Sequence, residues 1–251
     1  MIKTRLKKVD EIKHDLAFAH QLFAVFGWDD LTYTHLTARN PERDSYFIMP
    51  FGHVFSEVTA DQLLEIDFSG KVINGNPRAY NPTGHVIHGS IYQIRRDVNA
   101  VFHSHTPCNV AVATQTDGLL PISQWGLLFY ERFGFHEYDS LALHAQVQGS
   151  QLIQDLADYP VLLMRNHGVV VAGKDIAESF YMHYHLEMAC QTQCRLLAMG
   201  QTFSKPSHEV CRRSCKDLNN FETQNGQRDW AALKRKYRHL DKSFFNCEGE
   251  L

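Results

Sequence analysis

Long apolar runs are missing from this 251-residue sequence, and none approaches the roughly 18 consecutive apolar residues that a membrane-spanning helix needs. The sequence also has no excess of basic over acidic residues. The 25 lysines and arginines face 28 aspartates and glutamates, for a net charge of −3, which argues against a nucleic-acid-binding surface. Low-complexity segments and internal repeats are also lacking. We therefore expect a globular protein with neither membrane nor nucleic acid as partner, in one domain with appendages or in two.

The apolar core of a secretory signal is missing as well. The basic residues 1–8 lead into a polar amphipathic segment, so the sequence predicts a cytoplasmic protein. Six cysteines fit a reducing compartment, with most of them as free thiols. Cys190/Cys194 and Cys211/Cys215 have i, i+4 spacing and could in principle form a second zinc site. Buried or idle thiols are the favoured interpretation, because structural zinc ligands usually leave two residues between them.

Helical and strand-like periodicities alternate along the chain. Helices are predicted over residues 9–26, 85–96, 108–113, 149–157, 175–199 and 229–240. Strands are predicted over residues 46–49, 63–67, 72–73, 98–105, 161–164 and 169–173, and the aromatic segment 124–138 is ambiguous. The alternation favours an α/β/α layered domain over residues 9–200. A C-terminal extension, residues 201–251, is expected to carry one docking helix after a looser connector.

Two histidines flank one serine, His103-Ser104-His105, directly after an apolar run. In a strand, residues two apart point to the same side, so both imidazoles would reach one point in space. His167 follows a second strand-like run and is the third candidate. Three neutral imidazoles leave an open position on zinc, which is typical of a catalytic site, although iron, nickel or copper would also accept these ligands. The alternative is that these are satisfied histidines of the core or of strand ends.

Four segments resemble the class II aldolase/adducin family, namely residues 34–41, 67–72, 95–106 and 162–168, and the resemblance extends from about residue 16 to 195. It implies a three-layer α/β/α fold around a central, largely antiparallel sheet. It also implies zinc on His103, His105 and His167, and a homotetramer with active sites between subunits. Characterised aldolases of the family cleave sugar phosphates. Their metal stabilises an enediolate, while a glutamate just before a helix moves the proton.

This sequence departs from the family pattern at three positions. His85 stands in the place of the glutamate, Gly84 replaces one of two phosphate-binding serines, and His35 stands where an asparagine usually contacts phosphate. These departures resemble the adducin-like bacterial branch of the family. Thr83 and Gly84 still precede a helix, whose free N–H groups favour anions. We therefore predict that His35, Thr83 and Gly84 contact a phosphate or carboxylate of the substrate.

The helix after this loop carries His85 near its start. Thr83 or Gly84 could cap it, with Ile87, Ile91 and Ile94 as its buried stripe. An imidazole titrates near neutral pH, so His85 is the leading candidate for general acid or base. It could instead be a fourth metal ligand, or begin the helix and face solvent. His88, one turn further on, is expected to be packed and bonded to backbone.

Three functions fit these observations. The first is a metal-dependent lyase of aldolase type, acting next to a carbonyl on a small hydroxy-carbonyl substrate. The second is a non-catalytic scaffold like the adducin head, with a vestigial or structural metal. The third is a metal-dependent hydrolase, which needs only zinc-bound water. The histidine triad favours an enzyme, and the absent glutamate favours the scaffold.

Overall fold

The computed structural model describes residues 9–74, 76 and 80–240. The basic segment 1–8 and residues 241–251 of the expected C-terminal extension lie outside the described residues.

Eight strands form one sheet in the order β4-β3-β2-β1-β5-β8-β7-β6. All neighbouring pairs are antiparallel except β6 with β7, which is parallel. The strands are β1 (His35–Arg39), β2 (Ser45–Ile48), β3 (Leu64–Asp67), β4 (Val72–Asn74), β5 (Ala100–Ser104), β6 (Phe133–His136), β7 (Val161–Met164) and β8 (Gly168–Gly173). The predicted, largely antiparallel central sheet is confirmed.

Nine α-helical segments occur in the described part of the chain. They are α1 (Val9–Phe26), α2 (Pro82–Gly84), α3 (Ser90–Ile94), α4 (Pro107–Thr114), α5 (Gln124–Leu127), α6 (Ser150–Leu156), α7 (Ile176–Ala198), α8 (His208–Asn220) and α9 (Gln227–Lys236). A π-helical turn, His85–Gly89, joins α2 to α3, and a second, Ala145–Gly149, precedes α6. A 3₁₀ turn lies at Phe55–Glu57. None of the helices among the described residues is both long and apolar enough to cross a bilayer.

The sheet separates two apolar clusters. Helices α1, α4 and α7 cover one face, where Phe23 and Phe102 lie in the larger cluster. Helices α3 and α6 cover the other face, where Ile91 and Val101 lie in the smaller one. Val101 and Phe102 are neighbours on β5 and point to opposite faces, as alternation along a strand requires. This arrangement is the predicted three-layer α/β/α fold.

The helix predicted from residue 85 begins earlier, at Pro82. Its N-cap is Asn81, whose Oδ1 accepts the backbone N–H of Thr83 at 3.1 Å, and neither Thr83 nor Gly84 caps it. Asparagine at the N-cap followed by proline at the first helical position is a strong start signal. Ile94 is 63% exposed and does not continue the buried stripe. The π-helical turn inserts an extra residue, which rotates the following residues out of a regular 3.6-residue period.

Four elements were not predicted. Strand β1 carries polar residues on one face, and strand β6 and helix α5 lie in the segment that the sequence left ambiguous. Helix α8 occupies the connector that was expected to be loose, so the extension has two helices rather than one. Ser207 caps α8 by accepting the N–H of Val210, and Cys211 and Cys215 form its narrow buried stripe.

Candidate metal centre

The first two histidines of the site are held by the central strand of the sheet. Strand β5 pairs with β1 on one side and with β8 on the other, and all five of its residues are buried. His103 lies opposite His35 on β1 and opposite Val170 on β8. His105 follows one residue beyond the strand end. The structure therefore places both side chains at one end of the sheet.

His167 comes from the turn that joins β7 to β8. The turn is tight because Asn166 adopts φ 57°, and the His167 N–H donates to the carbonyl of Met164 at 3.2 Å. A side chain at Gly168 would meet the backbone carbonyl of Ser104 and the ring of His105. Glycine at this position therefore lets the turn approach the end of β5 closely enough to bring the third imidazole to the other two.

The three imidazoles converge on one point. The Nε2 atoms of His103 and His105 are 2.8 Å apart. Ring centroids are separated by 4.6 Å for His103 and His105, and by 4.8 Å from each of these to His167. One ligand atom from each ring lies within 4.8 Å of the others, and this is the metal-capable group found among the described residues.

The hydrogen bonds at Nδ1 fix which nitrogen is free to bind a metal. His103 Nδ1 donates to the carbonyl of Val169 at 2.9 Å, and His105 Nδ1 donates to Asp30 Oδ2 at 3.0 Å. In a neutral imidazole the other nitrogen then carries a lone pair. Two lone pairs that face each other at 2.8 Å repel, and a cation between them removes that repulsion. The donor set therefore fits a divalent metal held through Nε2.

Burial keeps the imidazoles of His103 and His167 neutral. Loss of hydration lowers the pKa of His103 well below its ordinary value of 6.5, and the neighbouring histidines lower it further. Burial, followed by His105 and His136, lowers the pKa of His167 to about 4. A metal ligand must be deprotonated, so neither ring has to give up a proton at neutral pH before it can bind.

His35 lies beside the triad and belongs to a buried polar chain. Its ring centroid is 5.2 Å from that of His103, and its Nδ1 lies 2.8 Å from His88 Nε2. His88 Nδ1 in turn lies 2.6 Å from the hydroxyl of Thr37, which is 2.9 Å from the hydroxyl of Tyr92. His88 is thus packed as predicted but bonded to side chains rather than to backbone. Burial lowers the pKa of His35 to about 3.

Gly84 and Thr83 lie at the start of the helix next to His35. A Cβ added at Gly84 would lie 3.2 Å from His35 Cδ2, so the imidazole occupies the space above this glycine. The hydroxyl of Thr83 donates to Asn81 Oδ1 at 2.8 Å, which is part of the helix cap. The structure therefore brings His35 and Gly84 into contact and places Thr83 one residue away.

His85 lies apart from the triad. Its Nδ1 is 3.0 Å from the hydroxyl of Tyr46, and its Nε2 lies against Gly70, where a Cβ would come within 2.9 Å. Burial lowers the pKa of His85, and the Asp67 carboxylate opposes this change. The metal-capable group of the described residues does not include His85.

Several side chains that support the metal segment were not predicted. Asp30 holds His105, and the two residues that alternate with the histidines are tied to α7. The Ser104 hydroxyl lies 2.7 Å from His183 Nε2, and the Thr106 hydroxyl donates to Glu187 at 2.5 Å. The i, i+4 spacing of His183 and Glu187 puts them on one face of α7. That spacing is the signal in the sequence that could have drawn attention to these two residues. The contacts themselves join residues some 75 to 81 positions apart, so no local pattern reveals them.

Cysteines do not add a second metal site among the residues that the structure describes. Cys190, Cys194, Cys211 and Cys215 are free thiols. Cys190 lies on α7 in the larger apolar cluster, and the other pair lies on α8.

Comparisons with known proteins cover most of the chain. The family model of the class II aldolase and adducin N-terminal domain matches residues 14–194. A Pseudomonas aeruginosa protein named after the class 2 aldolases is 35% identical over 226 residues, covering 88% of this chain and 87% of its own length. Alpha-adducin of Rattus norvegicus is 36% identical over 188 residues, covering 73% of this chain and 25% of its own length. The crystal structure of an aldolase II superfamily protein from Pseudomonas syringae matches with a TM-score of 0.84 and 34% identity, over 96% of this chain and 97% of its own.

Proposed function

The chain belongs to the class II aldolase and adducin family, and from that premise we propose that it is a metal-dependent lyase of aldolase type. Its substrate would be a small hydroxy-carbonyl compound, attacked next to the carbonyl. The observation that carries the proposal is the convergence of three imidazoles, two of which face each other through Nε2 at 2.8 Å.

In this proposal His103, His105 and His167 hold one zinc ion through Nε2 and leave a position open for substrate. A divalent metal held in this way polarises a carbonyl oxygen and stabilises negative charge that develops on it. Asp30 and the Val169 carbonyl fix the orientation of two of the rings through their Nδ1 atoms. Such outer partners also raise the basicity of the ligands, and their loss weakens metal binding.

His35, Thr83 and Gly84 are proposed to contact a phosphate or carboxylate of the substrate. Support comes from their position, since His35 neighbours His103 and packs on Gly84 at the start of a helix. Asn81 already accepts the Thr83 N–H. The Gly84 N–H donates to the Asn81 carbonyl at 3.0 Å and the His85 N–H donates to the Pro82 carbonyl. In this proposal an anion is therefore met by the His35 ring.

The predicted role of His85 in proton transfer stays a prediction. Its ring nitrogens lie against Tyr46 and Gly70, and it stands outside the group of the three converging imidazoles. We further propose a tetramer with active sites between subunits and a cytoplasmic location. Exposed apolar side chains between β6 and α6 support association of subunits, namely Tyr138, Leu141, Leu143 and Val147.

The rival function is a scaffold, which the similarity to alpha-adducin and the histidine in place of the glutamate favour. A scaffold keeps its fold without turning over any substrate. The metal content of the protein and its ability to exchange a carbon-bound proton of a substrate together separate the two functions.

The experiment is metal analysis of the purified protein, of His103→Ala and of His144→Gln. His144 is exposed and lies outside the metal-capable group, so it is the matched control. We expect about one divalent metal per subunit in the wild type and the control, and none in His103→Ala. Full metal retention in His103→Ala would contradict the triad. Light scattering on the same samples tests the tetramer.

Activity is tested on the zinc-loaded protein in D₂O with a panel of hydroxy-aldehydes, ketose phosphates and hydroxy-keto acids. Exchange of a carbon-bound proton, or cleavage, is expected for at least one compound class. A fully zinc-loaded protein that neither exchanges nor cleaves any of them would support the scaffold.

A further inference from the structure

A histidine–aspartate pair lies next to His167. His136 ends strand β6, and its Nδ1 donates to Asp155 Oδ2 on helix α6 at 2.7 Å. The backbone fixes the strand end, because His136 pairs with Met164 and its carbonyl accepts the N–H of Arg165 at 2.8 Å. The strand partner of His136 is therefore Met164, which precedes His167 by only three residues.

The Asp155 carboxylate is itself fixed. Its second oxygen accepts the side-chain amide of Gln151 at 2.8 Å, one helical turn earlier. The His136 side chain is 12% exposed and that of Asp155 is 21% exposed. A carboxylate at Nδ1 selects the tautomer in which Nε2 carries the lone pair. Within the described residues, no hydrogen bond is made by His136 Nε2.

A small cavity is shared by His136 and the candidate metal centre. It has a volume of about 20 Å³, and both His136 and His167 line it, with Arg165 and the loop that follows β6. A cavity of this size accommodates one water molecule or one oxygen-bearing group of a substrate. His136 thus shares a polar space with a ligand of the proposed metal, which the structure does not give to His85.

We propose that His136, oriented by Asp155, is the acid–base group of this site. The inference rests on the proposed function. Nε2 takes the proton from the carbon or hydroxyl next to the substrate carbonyl, and the electron pair of the broken bond stays on the substrate. The imidazolium, paired with Asp155, then returns the proton to the product, so the protein is unchanged after a turnover. A positioned acid–base group of this kind contributes typically about 10²- to 10⁴-fold to rate.

The competing explanation is structural, with the pair only fastening β6 to α6. A structural pair would affect folding and thermal stability, whereas an acid–base pair would affect proton exchange at constant metal content. His136→Gln keeps the size and polarity of the side chain but removes the basic Nε2. Asp155→Asn keeps a hydrogen-bond acceptor for Nδ1 but no longer selects one tautomer.

The experiment compares zinc-loaded wild type, His136→Gln, Asp155→Asn and the exposed control His144→Gln. Two readouts are taken: exchange of carbon-bound protons in D₂O with dihydroxyacetone phosphate and the hydroxy-carbonyl panel, and ¹H–¹⁵N spectra of the histidine rings with and without glycolohydroxamate. This hydroxamate chelates zinc and resembles an enediolate. We expect His136→Gln to keep its zinc and to bind the hydroxamate within about threefold of wild type, while exchange falls at least about 100-fold.

The ring spectra supply a readout that does not depend on turnover. In wild type the His136 signals, assigned by their absence in His136→Gln, should show the Nδ1–H tautomer and should move when the hydroxamate binds. In Asp155→Asn they should report a mixture of tautomers. His144→Gln should behave as wild type in both readouts.

The failures are distinguishable. Exchange in His136→Gln within threefold of wild type, or His136 signals that stay unmoved while the hydroxamate binds, overturns the role of His136 and leaves the metal site standing. Where no compound exchanges, the ring spectra alone decide. A wild type that binds neither zinc nor the hydroxamate overturns the proposed function, and the role of His136 with it.

Discussion

At the scale of single residues, Gly84 and His35 depend on each other. The His35 ring lies over Gly84, and a Cβ at that position would lie 3.2 Å from both His35 Cδ2 and Ile48 Cδ1. His35 cannot move away freely, because its Nδ1 is bonded to buried His88. The departures from the family pattern at His35 and Gly84 are therefore one packing change. The imidazole of His35 on β1 fills the space that a side chain at position 84 would need.

This coupling predicts the outcome of a double-mutant cycle. Gly84 has a helical backbone, so alanine there should stabilise by up to about 1 kcal/mol through helix propensity alone. Contact with His35 should cancel or reverse that gain in Gly84→Ala, since overpacking typically costs about 1–3 kcal/mol. In the His35→Ala background the part of the gain that contact with His35 removes should return, while the contact with Ile48 Cδ1 stays. Urea unfolding of the four proteins measures the coupling, expected at about 1 kcal/mol or more. Additive effects would show that the two residues do not constrain each other.

The residues of the triad were predictable, whereas their neighbours were not. His103 and His105 could be found because strand alternation links positions two apart, and His167 because it ends another apolar run. His136 and Asp155 are 19 residues apart on a strand and a helix, and Asp30 is 75 residues from His105. No local period connects such pairs, so only the folded sheet brings them together.

At the scale of elements, helix α9 is fastened by one aromatic residue. Trp230 is buried, and its ring lies 5.3 Å from Phe18 on α1 and 5.5 Å from Phe180 on α7, centroid to centroid. Lys234 forms an ion pair with Asp15 at the same contact. The indole N–H has no hydrogen-bond partner in the described part of the chain. The Trp230 ring therefore contributes through packing, not through its polar atom.

Trp230→Ala should lower the free energy of unfolding by about 3–5 kcal/mol, because it leaves a large cavity between three helices. Trp230→Phe is the matched control. It keeps most of the ring and removes a buried N–H without a partner, so it should cost less than about 1.5 kcal/mol. Chemical denaturation followed by circular dichroism measures both. Equal losses for the two variants would show that a single six-membered ring at this position does not replace the packing of the Trp230 indole.

Elements with a clear apolar period were predicted with accurate bounds, and elements without one were missed. Helix α1 was predicted over residues 9–26 and is found over Val9–Phe26. Strand β1 was missed because His35 and Thr37 occupy one of its faces and are buried by hydrogen bonds to a neighbouring helix. Helix α8 was missed because its buried stripe is as narrow as two cysteines. Neither the polar buried face of β1 nor the two-cysteine stripe of α8 can be recognised in the sequence until the residues that pack against it are known.

At the scale of the whole molecule, the fold buries histidines on both faces of the sheet without charging them. His20 on α1 and His183 on α7 lie in the layer that covers one face, and His35 and His88 lie on the other. Burial lowers the pKa of His20 to about 4 and that of His183 to about 3. Each of these rings is therefore neutral in the folded protein at a pH where the unfolded chain binds a proton.

This difference predicts that acid destabilises the fold from about pH 6.5 downward. The folded pKa of His183 lies below its unfolded value of 6.5. Between that value and about 3 the unfolded chain binds the extra proton, and stability falls as pH falls. At pH 5 one such ring costs about 2 kcal/mol relative to pH 7. Urea unfolding of metal-free wild type, His183→Gln and His144→Gln at both pH values measures the effect.

On acidification the free energy of unfolding of His183→Gln should fall by about 2 kcal/mol less than that of wild type, and the exposed control His144→Gln should match wild type. An identical acid loss in His183→Gln and wild type would show that His183 is not a source of acid sensitivity.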